Sequence, residues 1–233
     1  MQLEPQNADL HMCLSSALVS QLKYDEAIKA AREAVSLNPR SETAHVYLGI
    51  ALREESAQIV DPTDLGKIWK AAEAGPKVVN ESDKADWDGY RKIRLDEAIA
   101  EFRLALRLNP DDDMAHFNLG IAFVTKGDVD APIAEYREAL RLNPSNDQAH
   151  VGLAYVLGGS KRDLDGAVAE MRTAVQLEPD NPWHHHDLAH WLETKGDRQG
   201  ALEEYRTAYT LDPQNSILRG FYETFLRETN AAR

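Results

Sequence analysis

The sequence predicts an all-α solenoid built from stacked helical hairpins, and three regularities support this fold class. A Leu-x-Pro pattern recurs with its prolines 34, 71, 34, 35 and 34 residues apart, where 71 is one period of 34 plus 37 extra residues. Small residues recur at fixed distances before these prolines, and no segment convincingly predicts a strand. Helical units of this period are stable only when stacked, because a neighbour must cover the apolar face of each. The six patterns are Leu3-Glu4-Pro5, Leu37-Asn38-Pro39, Leu108-Asn109-Pro110, Leu142-Asn143-Pro144, Leu177-Glu178-Pro179 and Leu211-Asp212-Pro213.

Each period predicts one hairpin, whose second helix ends at the proline. First helices are expected near 9–21, 43–55, 114–126, 148–158 and 182–195, and second helices near 25–37, 96–108, 130–142, 165–177 and 199–211. Asn181-Pro182 predicts a helix start, with a cap residue before a proline whose missing N–H costs little there. A last helix near 215–229 is expected to cap the final hairpin with one apolar side. That side carries Ile217, Leu218, Phe221, Tyr222, Phe225 and Leu226.

Two further sets of positions identify the repeat. A Leu-Gly pair occurs in the first helix as Leu48-Gly49 and Leu119-Gly120, and paired small residues occur in the second helix. The third hairpin departs, with Pro132 in the first turn in place of the first alanine. This pattern resembles the tetratricopeptide repeat everywhere but in the insertion and the last helix. The resemblance implies a right-handed superhelix of about five hairpins whose first helices line a concave binding face. The alanine pairs are Ala27/Ala34, Ala98/Ala105, Ala167/Ala174 and Ala201/Ala208, with Ala139 alone in the third hairpin.

We predict that residues 1–233 form a single domain made of successive repeats. We expect residues 1–7 to be the remnant of a preceding repeat, so that the sequence is a fragment of a longer array. The predicted parts are repeat 1 (8–41), repeat 2 (42–112), repeat 3 (113–146), repeat 4 (147–180), repeat 5 (181–215) and a capping helix (216–233).

The extra residues of repeat 2, at 56–92, predict a helical insertion. A helix is expected over 61–75, with Leu65, Ile68 and Trp69 on one apolar stripe, and a second helical stretch over 83–92 is expected to continue into the following helix. Either the inserted helix packs on its own solenoid, or it covers the groove or reaches a partner. Long insertions in compact arrays are often functional.

Composition excludes several classes of function. The net charge of −13 argues against nucleic acid, whose binders present basic faces. There is no apolar run long enough to span a membrane and no secretory signal, so we expect a soluble segment, cytoplasmic in location. Cys13 is the single cysteine and cannot form an internal disulfide.

The family's concave positions, mapped onto this sequence, predict a partner-binding groove that is apolar in its middle. Side chains of this kind are costly to leave in water, and a contiguous patch of them marks an interaction site. The groove is expected to accept an apolar peptide or amphipathic helix, unless the insertion already fills it. The predicted groove residues are Met12, Val46, Ile50, Met114, Phe117, Asn118, Ile121, Val151, Tyr155, Trp183, His186 and His190.

Two binding modes of the family are not supported. A basic clamp for the carboxylate tail of a chaperone needs lysine and arginine at fixed concave positions, and no three consecutive repeats supply a cation there. An asparagine ladder needs asparagine at the sixth position of each repeat. That position reads Cys13, Tyr47, Asn118, Gly152 and Asp187.

Histidines raise the question of a metal site. One occupies the fourth position of each repeat, and equivalent helices lie on the order of 20 Å apart, whereas zinc ligands lie about 2 Å from the ion. We therefore expect a structural role for these five. His186 and His190 are a separate candidate pair for a metal, although partner contacts by these two and Trp183 are favoured. The five are His11, His45, His116, His150 and His185.

These inferences predict a non-enzymatic scaffold or adaptor without a cofactor. The alternative is a structural segment that positions another domain of a longer protein, with its groove filled by its own insertion. Metal binding at His186 and His190 comes third, and self-association is a further alternative for the partner.

Overall fold

A computed structural model of the chain describes residues 7–58 and 84–231, which form eleven α-helices and contain no strand. A π-helical turn, Val156–Ser160, follows the seventh helix. The helices are α1 (Ala8–Ser20), α2 (Tyr24–Leu37), α3 (Glu42–Gln58), α4 (Lys84–Leu108), α5 (Asp113–Lys126), α6 (Ala131–Leu142), α7 (Asp147–Tyr155), α8 (Leu164–Leu177), α9 (Pro182–Lys195), α10 (Arg198–Leu211) and α11 (Ser216–Ala231).

The first helix of each hairpin starts at a side-chain cap two residues after the proline. Asn181, for example, accepts a hydrogen bond from the backbone N–H of Trp183 (3.1 Å), and Pro182 follows at the first helical position, as predicted. The same local chemistry satisfies N–H groups that a helix cannot pair internally. The caps are Asn7, Ser41, Asp112, Asn146, Asn181 and Asn215.

Helix bounds agree with the prediction within three residues at most ends, and two helices differ. The second helix of repeat 2 begins at Lys84, so the stretch predicted over 83–92 is continuous with it and Gly89 does not interrupt it. The helix predicted over 148–158 leaves α geometry after Tyr155. There Lys161 donates to the Val156 carbonyl (3.2 Å), which accommodates the one extra residue of this repeat in a wider turn.

The chain forms two compact units, residues 1–128 and 129–233. In unit 1, each helix from α1 to α4 packs on the next helix along the chain, and α3 also contacts both α1 and α5. In unit 2, each of α6 to α11 packs on the next helix along the chain. Consecutive packing of this kind is what a stack of hairpins requires.

The paired alanines lie in the cores of both units. All of them are at most 1% exposed, and Pro132, which replaces one of them in the third hairpin, is equally buried. Glycine serves the same purpose at Gly49, where a Cβ atom would lie 2.6 Å from the ring of Phe102. Small side chains therefore permit the close approach of helices, and large side chains such as Leu52 and Phe102 fill the remaining space.

In three repeats, the histidine at the fourth position joins the first and second helices of its own repeat to the proline that ends the preceding repeat. Its Nδ1 donates to a glutamate of the second helix at 2.6 Å, and its Nε2 donates to the carbonyl of the preceding proline. We name this arrangement the histidine clasp. His116 makes the same bond to the carbonyl of Pro110 (3.1 Å). Clasps join His45 with Glu101 and Pro39, His150 with Glu170 and Pro144, and His185 with Glu204 and Pro179.

These contacts confirm that the clasp histidines are structural. At His150 and His185 the carboxylate and the carbonyl are both acceptors, so each ring donates from both of its nitrogens. The hydrogen bond to Glu170 raises the pKa of His150, and that to Glu204 raises the pKa of His185. Burial acts against both shifts, and the proline carbonyls reinforce them.

A polar cluster in unit 1 joins α3 to α4. Arg94 forms an ion pair with Glu55 (2.8 Å) and donates to the hydroxyl of Tyr90 (2.7 Å). Burial raises the pKa of Glu55, and the charge of Arg94 partly offsets this. The cluster therefore fixes the two helices to each other close to where each enters residues 59–83.

Candidate partner-binding surface

Unit 2 presents a cluster of aromatic rings that we name the aromatic patch, formed by Tyr155 on α7, Trp183 and His186 on α9, and Phe221 on α11. The centroid of the His186 ring lies 4.4 Å from that of Phe221 and 5.7 Å from that of Trp183. Tyr155, Trp183 and Phe221 are 45%, 42% and 44% exposed. Rings of this size are usually buried, so their common exposure marks a surface suited to a partner.

Asp187 places a carboxylate beside this patch. His186 Nδ1 donates to its Oδ1 (2.9 Å), and the Tyr155 hydroxyl bonds to the same side chain. Burial raises the pKa of Tyr155, and the charge of Asp187 raises it further. Tyr155 is therefore a neutral hydroxyl at physiological pH, and the patch combines apolar rings with a negative charge.

The last helix extends the patch. α11 begins three residues after Pro213, as α9 begins three residues after Pro179, so it stands where the first helix of another hairpin would stand. Its Leu218 and Phe225 are buried, but Ile217 is 54% exposed, at the position equivalent to Trp183. The apolar side predicted to cap the array is thus only partly covered.

The other groove residues predicted in unit 2 lie at or near the surface. Val151 is half-buried on α7, and His190 is exposed on α9 with its ring 5.0 Å from that of Trp191. Trp191 is buried and also contacts the ring of Tyr155 edge-on at 5.5 Å. Tyr155 of α7 and His190 of α9 therefore both pack against the ring of Trp191.

In unit 1 the residues predicted to line the groove differ in their exposure. Met114 is 50% exposed, and Met12, Ile50, Phe117 and Ile121 are half-buried.

Val46 and Asn118 are buried, so their assignment to an open groove is wrong. Asn118 donates to the carbonyl of Met114 (2.8 Å) within its own helix. The physical reason is that α3 packs against both α1 and α5, so part of the surface expected to be open lies between first helices.

Sequence reasoning missed Phe221, Ile217 and Asp187 as parts of this surface. The first two were assigned to the covered side of a cap. The signal was present, because Ile217 follows its cap residue Asn215 at the same distance as Trp183 follows Asn181.

His186 and His190, the candidate metal pair, find no third ligand among the described residues. Among the described residues, neither His186 nor His190 belongs to a cluster of three or more metal-ligating side chains. The His186 ring is instead surrounded by the rings of Trp183, Tyr205 and Phe221. Its role in this structure is that of an aromatic side chain in the patch.

A comparison with protein families matches the profile described as "Tetratricopeptide repeat" at residues 14–57, 90–147 and 124–182, more than half of the chain. The chain belongs to the tetratricopeptide repeat family. Proteins with this fold generally mediate protein–protein interactions. A comparison with curated proteins finds no match.

Solved structures of other tetratricopeptide repeat proteins share the fold at low sequence identity. TTC0263 from Thermus thermophilus is 19% identical over 94% of this chain and 99% of its own, with a TM-score of 0.63. MamA from Desulfovibrio magneticus is 18% identical over 90% and 97%, with a TM-score of 0.62. YrrB, described as "a TPR protein with an unusual peptide-binding site", is 16% identical over 95% and 94%, with a TM-score of 0.59.

Residues 59–83, the larger part of the insertion, lie outside the residues that the structure describes. The predicted helix over 61–75, with Leu65, Ile68 and Trp69, lies outside the described residues, as do residues 1–6 of the predicted repeat remnant. Within the described ranges, none of the helices has the length and apolarity needed to cross a bilayer.

Proposed function

We propose that this tetratricopeptide repeat chain is a non-enzymatic interaction module that binds an apolar or amphipathic peptide or helix of a partner protein. The aromatic patch of unit 2 is the main anchor for the partner. The observation that carries the proposal is the joint exposure of Tyr155, Trp183 and Phe221 around one half-buried carboxylate. The half-buried side chains of unit 1, among them Ile50, Phe117 and Ile121, are a second surface of the same kind.

The free energy gained by burying apolar side chains favours a partner that binds the patch through its side chains. Burying one large apolar side chain against such a surface contributes about 1.5–3 kcal/mol, and interface energy concentrates at aromatic anchors. The rings of Trp183, His186 and Phe221 already contact one another, and the ring of Tyr155 packs on Trp191, so a partner orders few side chains on binding. A preorganised surface retains more of its gross contact energy as affinity.

The charge of the patch indicates the chemistry of the partner. Asp187 is half-buried and the four defining residues include no lysine or arginine, while the whole chain carries −13. A peptide with apolar side chains and a lysine or arginine beside them would match both features. YrrB, a protein of similar fold, is described as having a peptide-binding site, and this supports the class of function proposed.

The proposal is tested with a displayed library of random peptides selected on the whole chain. We expect enrichment of peptides with large apolar side chains and a basic residue. Trp183→Ala and Phe221→Ala should each weaken the enriched peptides by about 30-fold, which corresponds to about 2 kcal/mol at an aromatic anchor. Dissociation constants from fluorescence anisotropy measure the effect.

The matched control is Leu211→Ala, which removes an exposed apolar side chain at the end of α10, outside the patch. It should leave the dissociation constant unchanged. Absence of any enriched peptide, or equal binding by the Trp183 and Leu211 variants, would contradict the proposed site. An affinity that rises when residues 59–83 are deleted would favour the alternative that the insertion fills the groove.

A further inference from the structure

We propose that Asp147, Glu178 and His184 in unit 2 form a binding site for one divalent cation of the zinc class. The site is separate from the aromatic patch and from the histidine clasps. Its ligands would be one imidazole nitrogen and two carboxylate oxygens, a set that suits first-row divalent transition metals.

Three elements bring the ligand atoms together. Asp147 begins α7, Glu178 follows the last residue of α8, and His184 lies in the first turn of α9. His184 Nε2 lies 3.0 Å from Asp147 Oδ2 and 3.7 Å from Glu178 Oε2. One nitrogen of a nearly buried ring, with its side chain only 9% exposed, is thus aimed at two carboxylates at once.

The distances fit a shared ion. A tetrahedral site with bonds of about 2.0–2.2 Å places neighbouring ligand atoms about 3.3–3.6 Å apart. The two measured separations lie on either side of this range, and the three ligand atoms all lie within 4.8 Å of one another. Glu178 is 54% exposed at its side chain, so a small rotation of this residue is enough to close the site.

Two of the three ligands, Glu178 and His184, differ from the residues found at the equivalent positions of other repeats, and both lie near Pro179. The position of His184 is alanine in repeats two to four, and that of Glu178 is asparagine in the first three Leu-x-Pro junctions that follow a second helix. Packing in this repeat therefore does not require a histidine or a glutamate there. The equivalent residues are Ala44, Ala115 and Ala149 for His184, and Asn38, Asn109 and Asn143 for Glu178.

The environment also differs from that of the clasp histidines. In a clasp, each ring nitrogen has its own acceptor, one carboxylate and one proline carbonyl. At His184 a single nitrogen faces both carboxylates, and Asn181 Nδ2 lies 3.3 Å from it. With no cation bound, two carboxylate groups therefore face one ring nitrogen. A divalent cation bound there accepts the ring lone pair and neutralises both carboxylates.

The test uses the untagged whole chain, freed of metal with a chelator, titrated with Zn²⁺ in a calorimeter at about pH 7. We expect one ion to bind per chain. His184→Ala and Glu178→Asn should each weaken binding by at least about tenfold, since even outer-shell partners of a metal contribute 10–100-fold. Both variants restore residues that other repeats carry, so they should fold.

His190→Ala is the control, because it removes an exposed histidine of the same helix outside the cluster. It should bind Zn²⁺ like the unaltered chain. As a second readout, Zn²⁺ should raise the melting temperature of the unaltered chain and of the His190 variant, but not of the His184 variant. The proposal is overturned if the chain binds no Zn²⁺, since the cluster is then only an ion pair, or if His184→Ala binds Zn²⁺ with unchanged affinity.

Discussion

His150 and His185 each donate to two acceptors, which makes the stability of unit 2 depend on pH. Their pKa values are raised in the folded chain, above the value of about 6.5 expected when unfolded. A group shifted in this direction contributes stability that is fully present below the unfolded pKa and is lost as pH rises through the folded pKa. We therefore expect the free energy of unfolding, from urea denaturation, to fall as the pH is raised from about 6 through the raised pKa values.

Glu170→Gln isolates one clasp. It should lower the free energy of unfolding by about 1–3 kcal/mol below the unfolded pKa, because His150 loses a charged hydrogen-bond partner. It should also flatten part of the pH dependence. Glu223→Gln, at an exposed glutamate of α11, should do neither. An identical pH profile for Glu170→Gln and the unaltered chain would show that the clasp does not hold a charged ring.

The clasps show how far single residues could be predicted. The recurrence of histidine at the fourth position was enough to predict a structural role, but the partners were missed. Their signal is a glutamate nine residues before the proline in four of the five hairpins, where the first hairpin has Ala30. A glutamate on an exposed helix face is common, so only the paired recurrence could reveal it. The four are Glu101, Glu135, Glu170 and Glu204.

Gly49 of α3 lies against a packed side chain, whereas Gly89 of α4 has open space beside it. Replacing each with alanine therefore compares the cost of one added methyl group in a packed and in an open position. A Cβ atom at Gly49 would lie 2.6–2.9 Å from three atoms of the Phe102 ring, and that ring is fully buried. A Cβ atom at Gly89 would meet nothing within 4 Å. Gly89→Ala should stabilise the chain by about 0.5–1 kcal/mol, because alanine is the better helix former.

Gly49→Ala gains the same helix propensity but overpacks the contact with Phe102, which typically costs about 1–3 kcal/mol. The two variants should therefore differ by about that amount in free energy of unfolding, with Gly49→Ala the less stable. Urea denaturation with an unchanged slope measures the difference. Equal stability of the two would mean that the Phe102 ring can move away at little cost.

Elements were predictable where a local signal marks both ends. The proline and the following cap residue gave the start of each first helix within two residues. The end of α7 was not predictable in the same way, since Gly158-Gly159 indicated only a longer turn. Its π-helical form follows from tertiary contact, because Gly158 lies against the ring of Trp191, where a Cβ atom would be 2.5 Å away.

For the chain as a whole, the repeat period predicts which residues are buried in the core. It does not predict which residues of the first helices and of the last helix are exposed. The fold class and family could be predicted because they rest on many spaced positions. Exposure at Val46 and Asn118 could not, because it depends on how closely one first helix packs on the next. Phe221 was missed because a terminal helix has no following repeat whose pattern would show which of its sides is covered.

Stacking of this kind also predicts which helices are destabilised when one core side chain is removed. Phe225 of α11 is 3% exposed, packs on the ring of Tyr205 (5.2 Å) and lies under the guanidinium of Arg198 (5.2 Å). Phe225→Ala should cost about 3–5 kcal/mol locally. In a stack with nearest-neighbour coupling, we expect amide hydrogen exchange to accelerate mainly in α9, α10 and α11, with α1 and α2 little changed.

Phe221→Ala is the matched control on the same helix, because its ring is 44% exposed and its loss leaves the packing of Leu218 and Phe225 in place. Its exchange pattern should stay close to that of the unaltered chain. If Phe225→Ala instead accelerated exchange equally in all helices, the whole chain would unfold as one cooperative body. A local response would mean that a partner bound at the aromatic patch could order or release α11 without affecting the stability of unit 1.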